Sequence, residues 1–576
     1  MKRRALTQVL STAFFLVGVL SFQSCTNSSY SNGNTFLSDS LVAHFDYFTY
    51  TGNDDFYREN PLPGEDYFYN PILPGWYSDP SICTNGEDYF MVTSTFSYFP
   101  GVPLFHSTDL VNWKQIGNVL NRREQLPLQG QRVSQGIFAP AISYNPHNQT
   151  YYMITTNIKG GNFYVKTTDP FGDWSDPVWL PAVGGIDPSF LFDDDGKAYI
   201  VNNDVPDGGS TYEGHRAIRM IEFDVENDTT RGESIMLVNG GVNLEEKPIW
   251  IEGPHLYNIN GKYFLMCAEG GTSVDHREVI FRGDSPFGPF KPWKKNPILT
   301  QKHLDKNREL PVTCTGHADL FKKDNGEWWA VFLACRPIEN QFENLGRETF
   351  MMPVSWSKDG FPYITRDNEV VPRIVQMKGT KRAAETTFGN FEKHDDFDDR
   401  QLGLEWLTLR GPASDFYSLS ENPGYLSLQA ANVASNELKS PAFVCRRLQH
   451  HKFECTTSMH FQPQSNNEMA GMLLMKDETH QYMLVVQREN EQTKVCLKKL
   501  GTEKLETLQA NPIELSEKPV QLKIVSDGKT FSFYYGGKPD QWTLLADKVD
   551  ASYLSTANSW GFTGTTVGLF ATQKPY

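Results

Sequence analysis

The sequence predicts an all-β protein, a five-bladed β-propeller followed by a β-sandwich. Three observations lead there: a fivefold internal repeat, short Tyr- and Trp-rich strands parted by hairpin turns, and a change to plain alternation in the last third of the chain. With 576 residues the chain is too long for one ordinary core, so at least two domains are expected. Aromatic residues at 13%, with 45 Gly and 34 Pro, suit a strand-rich globular protein with many turns.

The repeat carries the first domain, placed at residues 69–385. Each unit opens on a turn-forming element that leads into an apolar strand, then passes through a hairpin into an aromatic-rich strand. The openings are Ser78-Asp79-Pro80-Ser81-Ile82, Phe138-Ala139-Pro140-Ala141-Ile142, Ile186-Asp187-Pro188-Ser189-Phe190, Glu252-Gly253-Pro254-His255-Leu256 and Gly316-His317-Ala318-Asp319-Leu320. Asn85-Gly86, Asn148, Asp195-Gly196, Asn260-Gly261 and Asn325-Gly326 supply the turns. A single unit of this kind cannot bury both faces of its sheet, whereas five in a ring can. In such a ring the opening strands line the central axis. Asp79, Phe138 or Ala139, Asp187, Glu252 and His317 are therefore expected at one end of it.

Outside the repeat, residues 390–576 alternate between apolar and polar, as in Tyr425-Leu426-Ser427-Leu428 and Val520-Gln521-Leu522-Lys523-Ile524, with Asp527-Gly528 as a hairpin turn. Half-buried antiparallel strands of a sandwich are the natural reading. At the other end, Lys2-Arg3-Arg4, an apolar stretch and Ser24-Cys25 read as a signal peptide over residues 1–25. The apolar part is too short to span a bilayer, and the site resembles that of a bacterial lipoprotein, with Cys25 lipidated. Residues 26–68 are expected to be a flexible tether. Seven other cysteines show no Cys-x-x-Cys spacing, which argues against a zinc or thioredoxin-like motif; a Cys445–Cys455 bridge is the one local pairing considered.

The formal net charge of −16 disfavours nucleic acid and is compatible with a neutral substrate such as a sugar. No nicotinamide, flavin or phosphate motif appears, so no organic cofactor is expected. Glycosidic cleavage needs a proton for the leaving oxygen and a base for water, or a carboxylate nucleophile. Glu252, with the longer side chain, suits the acid and Asp79 the base. The charge on Asp187 between them would keep Glu252 protonated near neutrality. His317 reads equally as a core histidine, an ion or water ligand, or a substrate contact.

These segments, together with Ser94-Thr95-Phe96, Phe99-Pro100-Gly101-Val102, His106-Ser107-Thr108-Asp109-Leu110-Val111-Asn112-Trp113 and Gly346-Arg347-Glu348-Thr349-Phe350, resemble glycoside hydrolase family 43. The likeness runs from about residue 69 to 576 and is strongest to the β-xylosidases with a C-terminal sandwich, here of concanavalin-like type. The resemblance implies inversion and the three roles just given. It also implies that Arg347 contacts hydroxyls of the terminal sugar, that Phe96 walls the pocket, and that Phe562, in a sandwich loop, narrows it. An axial ion near His317, calcium by preference, is a further implication, although no oxygen-ligand loop is visible. Where the family usually has Trp before Ala-Pro, this chain has Phe138, a smaller stacking surface.

The expected function is exo-acting release of xylose from β-1,4-xylo-oligosaccharides by an exported lipoprotein, periplasmic or anchored to the outer membrane. Its nearest rival is α-L-arabinofuranosidase action on arabinose-decorated glycans. A glycan-binding lipoprotein without catalysis is the third, and three convergent carboxylates count against it. Membrane association is expected only through the lipid.

Overall fold

The computed structural model describes residues 40–576 apart from 340 and 515–517. The signal peptide, Cys25 and the first part of the expected tether lie outside the described residues. Helix is confined, among these residues, to Asp55–Glu59, Thr556–Ser559 and four single turns of 3₁₀ type.

Residues 69–385 form five antiparallel sheets in chain order. They begin with the strands Ser81–Thr84, Ile137–Asn145, Ile186–Phe192, Glu252–Ile259 and Thr313–Lys322, and each pairs outward with the strands that follow it. Every opening strand touches the next, and the fifth touches the first. The chain also stitches its own ends together, because Ile72 N–H donates to Thr349 O at 2.9 Å and Thr349 N–H to Leu73 O at 3.2 Å, within the fifth sheet. The predicted hairpins form. Gly86, Gly196, Gly261 and Gly326 all take positive φ, while in the second unit this falls on Gln149 rather than Asn148.

The expectation of a tether over residues 26–68 fails for its second half. Val42–Gly52 is a strand inside an eight-stranded sheet of the C-terminal half, flanked by Leu426–Gln429 and Glu392–Asp395 on one edge and Lys452–His460 on the other. Its alternation buries Ala43, Phe45, Phe48 and Tyr50, with a bulge between Phe45 and Tyr47. Hydrophobic burial of this face holds the segment against loss of chain entropy. The described residues therefore begin in the C-terminal domain, cross to the repeat region and return.

The second sheet of the C-terminal half has six strands, and its two faces do different work. Met472, Leu474, Leu484 and Leu569 join Phe45, Phe453, Ile524 and Phe533 in the core between the sheets. Leu473, Val485, Phe443 and Phe570 point the other way and pack on Trp76, Phe96 and Tyr98 of the repeat region. The predicted half-buried alternation thus holds for the eight-stranded sheet. It fails for four strands of this one, Ala442–Arg447, Met469–Asp477, His480–Glu489 and Thr566–Thr572, which are buried on both faces along most of their length. Cys445 and Cys455 lie in different sheets, and both are free and buried, so the bridge considered from sequence does not form.

Candidate active site

The five opening strands share one irregularity. Asp79, Ala139, Asp187, Gly253 and His317 have φ of 52°, 30°, 55°, 55° and 51°. In the last four strands the pairing register shifts at this place, a bulge that re-aims the side chains around it. Pro follows in the first four cases, and Ala318 in the fifth. This register corrects the sequence alignment of the repeats. The fourth equivalent of Asp79 is Gly253, and Glu252 stands one residue earlier, matched with Phe138. The reason is steric, since a Cβ on Gly253 would lie 2.8 Å from His317 Nε2, and only glycine takes this φ without strain.

Asp79, Asp187 and His317 line one narrow axial cavity together with Gly253. Asp79 is buried and densely held: Ser94 Oγ donates to Oδ2 at 2.6 Å, Arg347 approaches both oxygens at 3.3 and 3.4 Å, and His317 Nδ1 lies 3.6 Å from Oδ1. Burial pushes its pKa up, but Arg347, then His317 and the Ser94 hydroxyl, outweigh burial and hold the carboxyl below its ordinary value. Asp187 moves the other way. Burial and the Asp79 charge raise it to about 7, against a 3.1 Å hydrogen bond from Gly253 N–H. Glu252 is raised well above the usual carboxylate range by burial first and Asp187 second. One carboxyl is thus held low and another raised, the division that acid–base chemistry requires.

Arg347 leads into the strand Glu348–Pro353, whose first residue is clamped by Arg336 at 2.6 and 2.7 Å. The Arg347 Nε is buried with no hydrogen-bond partner, a donor suited to a substrate hydroxyl. Its guanidinium lies 5.0 Å from the Phe562 ring centre and 6.0 Å from that of Phe96. Phe138 meets Phe96 edge-on at 5.6 Å and Phe562 at 5.5 Å. The structure therefore brings together all the predicted site residues of both domains. Gly346 permits this, because a Cβ there would meet the Gly564 backbone at 2.5 Å.

A family model described as "Glycosyl hydrolases family 43" matches residues 68–362, and "Beta xylosidase C-terminal Concanavalin A-like domain" matches 394–575. The chain belongs to glycoside hydrolase family 43. It is a glycosidase, and the reading as a binding protein alone is set aside. Among its relatives are a xylosidase/arabinosidase of Butyrivibrio fibrisolvens, 39% identical over 88% of this chain and 96% of the relative. Another is a non-reducing end α-L-arabinofuranosidase of Bacteroides ovatus, 36% identical over 88% and 91%. A solved GH43_12 structure retrieved from capybara gut metagenome superposes with a TM-score of 0.86, 42% identity, and coverage of 92% of this chain and all of that one.

In this family 43 glycosidase several contributors carried no legible signal of their role. Ser94 was visible only as part of a motif, yet its hydroxyl both donates to Asp79 and accepts from Ala139 N–H at 2.8 Å, joining the first two opening strands. Lys476, buried in the six-stranded sheet, donates to Thr563 O and, at 3.2 Å, to Thr556 Oγ1, which pins the loop carrying Phe562. Burial lowers its pKa to about 8. His317 is neutral at physiological pH, its pKa pulled to about 4 by burial. Among the described residues the group with metal-ligand spacing is Cys314, Cys335 and Glu343, which excludes His317. Around the axial cavity, lined by Asp79, Asp187, His255 and His317, water would have to supply most of the six to eight oxygens that a calcium ion takes. Nearby Asp319 is committed to Ser81, Ile82 N–H and Tyr257, and Asp79 to Ser94 and Arg347.

Proposed function

We propose that this chain is an exo-acting, inverting glycosidase that releases terminal xylose from β-1,4-xylo-oligosaccharides. The observation that carries the reading is the cluster in which Arg347 abuts Asp79 while the rings of Phe96 and Phe562 flank its guanidinium and Phe138 packs on both rings. In this reading the cluster is the inner wall for one terminal pentose. Asp79, ionised, serves as base on water; Glu252, protonated, donates to the leaving oxygen; Asp187 sustains the proton on Glu252 by its charge. The Arg347 fork orients paired hydroxyls of the terminal ring.

The five sheets act in this reading as blades of a propeller around the axial cavity, with the C-terminal half as a sandwich. The cyclic contacts of the opening strands and the stitch between Leu73 and Thr349 support the ring. A second reading, α-L-arabinofuranosidase action alone or combined, is favoured by the small Phe138 ring and by the Bacteroides ovatus relative. Hydrolysis of nitrophenyl β-xyloside and nitrophenyl α-L-arabinofuranoside by the purified protein separates the two. With xylan or xylo-oligosaccharides as substrate, xylose should appear singly from chain ends. Early release of long internal fragments would overturn the exo assignment.

We further propose that Cys25 carries a lipid that tethers the enzyme to a membrane outside the cytoplasm. Cys25→Ser should move most of the protein to the soluble fraction. Wild type that carries no lipid by mass spectrometry would refute the anchor.

A further inference from the structure

The aromatic wall does not stop at Phe562. Trp560, two residues before it, has its ring centre 5.1 Å from that of Phe562 and is 71% exposed, the most exposed of the large apolar side chains among the described residues. The Trp560 ring thus carries the aromatic wall of the site out into solvent, where an apolar ring face with a polar edge suits a partner that is itself half apolar. Its backbone is equally unusual, with φ 64° and ψ 179°, a region that glycine alone adopts readily. Glycine would relieve this strain, yet tryptophan stands there.

The strained segment is firmly held. Trp560 N–H closes the short helix Thr556–Ser559 on Thr556 O at 2.8 Å, Phe562 N–H donates to Ser134 Oγ of the catalytic half at 2.9 Å, and Lys476 fastens Thr556 and Thr563 from below. Arg347 is at the inner end of the row, Phe562 in the middle and Trp560 at the solvent end. The order matches a substrate whose terminal ring sits against Arg347 and whose remaining sugars lead outward.

We propose that Trp560 is the stacking platform for the first sugar on the leaving-group side of the scissile bond. This rests on the exo-glycosidase reading, which sets the direction of the substrate. The C–H face of a pyranose covers an indole ring with little loss of hydration, since neither surface holds water by strong hydrogen bonds. Trp560 would thereby select oligosaccharides over single glycosides, while Arg347 with the Phe96, Phe138 and Phe562 rings selects the terminal pentose.

The test compares Trp560→Ala and Trp560→Phe with wild type. For xylotetraose the Ala variant should raise KM about tenfold, with the Phe variant recovering part of that. The inhibition constant of free xylose, which needs only the inner end, should move less than twofold. An unchanged KM for xylotetraose overturns the platform. So does an equal rise in both constants, which would mean that Trp560 only props Phe562. Calorimetric binding of xylotetraose to Asp79→Asn, with and without Trp560→Ala, reads the platform without turnover. A wild type that cleaves no pentoside would sink the functional reading, while this binding comparison still decides the platform.

Discussion

Replacing Glu252 by Ala should lower kcat on xylo-oligosaccharides by roughly 10²- to 10⁴-fold, and much less on aryl xylosides with good leaving groups. In the proposed role the buried, raised carboxyl of Glu252 protonates the leaving oxygen, and a nitrophenolate departs without that proton. Asp79→Ala should behave differently, losing activity by a similar factor on both substrates, because water must be activated whatever leaves. Arg347, His317 and Ser94 keep Asp79 ionised for this, so its base form is available well into acid. Proton NMR of the first turnovers should show the inverted anomer, as expected where two carboxyl groups stand roughly 6.5–9.5 Å apart with water between. Retained configuration, or equal losses for Glu252→Ala on both substrates, would reassign the roles.

Asp187→Asn should cut kcat at the optimum by roughly 10- to 100-fold and move the alkaline limb of the pH profile to lower pH. The sign follows from the proton on Glu252. Its pKa is raised by burial and then by the Asp187 charge, so removing that charge leaves burial and the more weakly acting Asp79 against Arg347, and Glu252 deprotonates earlier. Asp187 itself titrates near 7, raised by burial and Asp79, so the two carboxyls lose protons as a pair and the limb reports both. The acid limb, set by Asp79, should move little, since Arg347 heads the influences that oppose burial there. An alkaline limb unmoved in Asp187→Asn would show that burial alone protonates Glu252.

Much of this site was legible because each repeat writes the same turn in sequence. Asp79-Pro80, Ala139-Pro140, Asp187-Pro188 and Gly253-Pro254 mark the positive-φ positions one by one, and turn chemistry is local. The alignment slipped at Glu252 for the same reason it worked elsewhere. The eye pairs acid with acid, whereas the backbone pairs the residues that adopt positive φ. The strand Val42–Gly52 was missed although its Phe45, Phe48 and Tyr50 alternate visibly around a bulge. Its partners Lys452–His460 and Leu426–Gln429 lie hundreds of residues away, and no local signal announces such a pairing.

By itself the sequence determined the all-β character, the fivefold repeat and the three carboxyl groups to look for together, because periodicity, turn residues and residue chemistry are properties of neighbours along the chain. Tertiary structure alone decided which carboxyl is held low and which raised, that Ser94 and Lys476 support the site, and that a loop of the C-terminal half brings Phe562 to it. Protonation depends on burial and on charges brought close from distant segments, and a wall built from two halves exists only once both faces of the six-stranded sheet are buried.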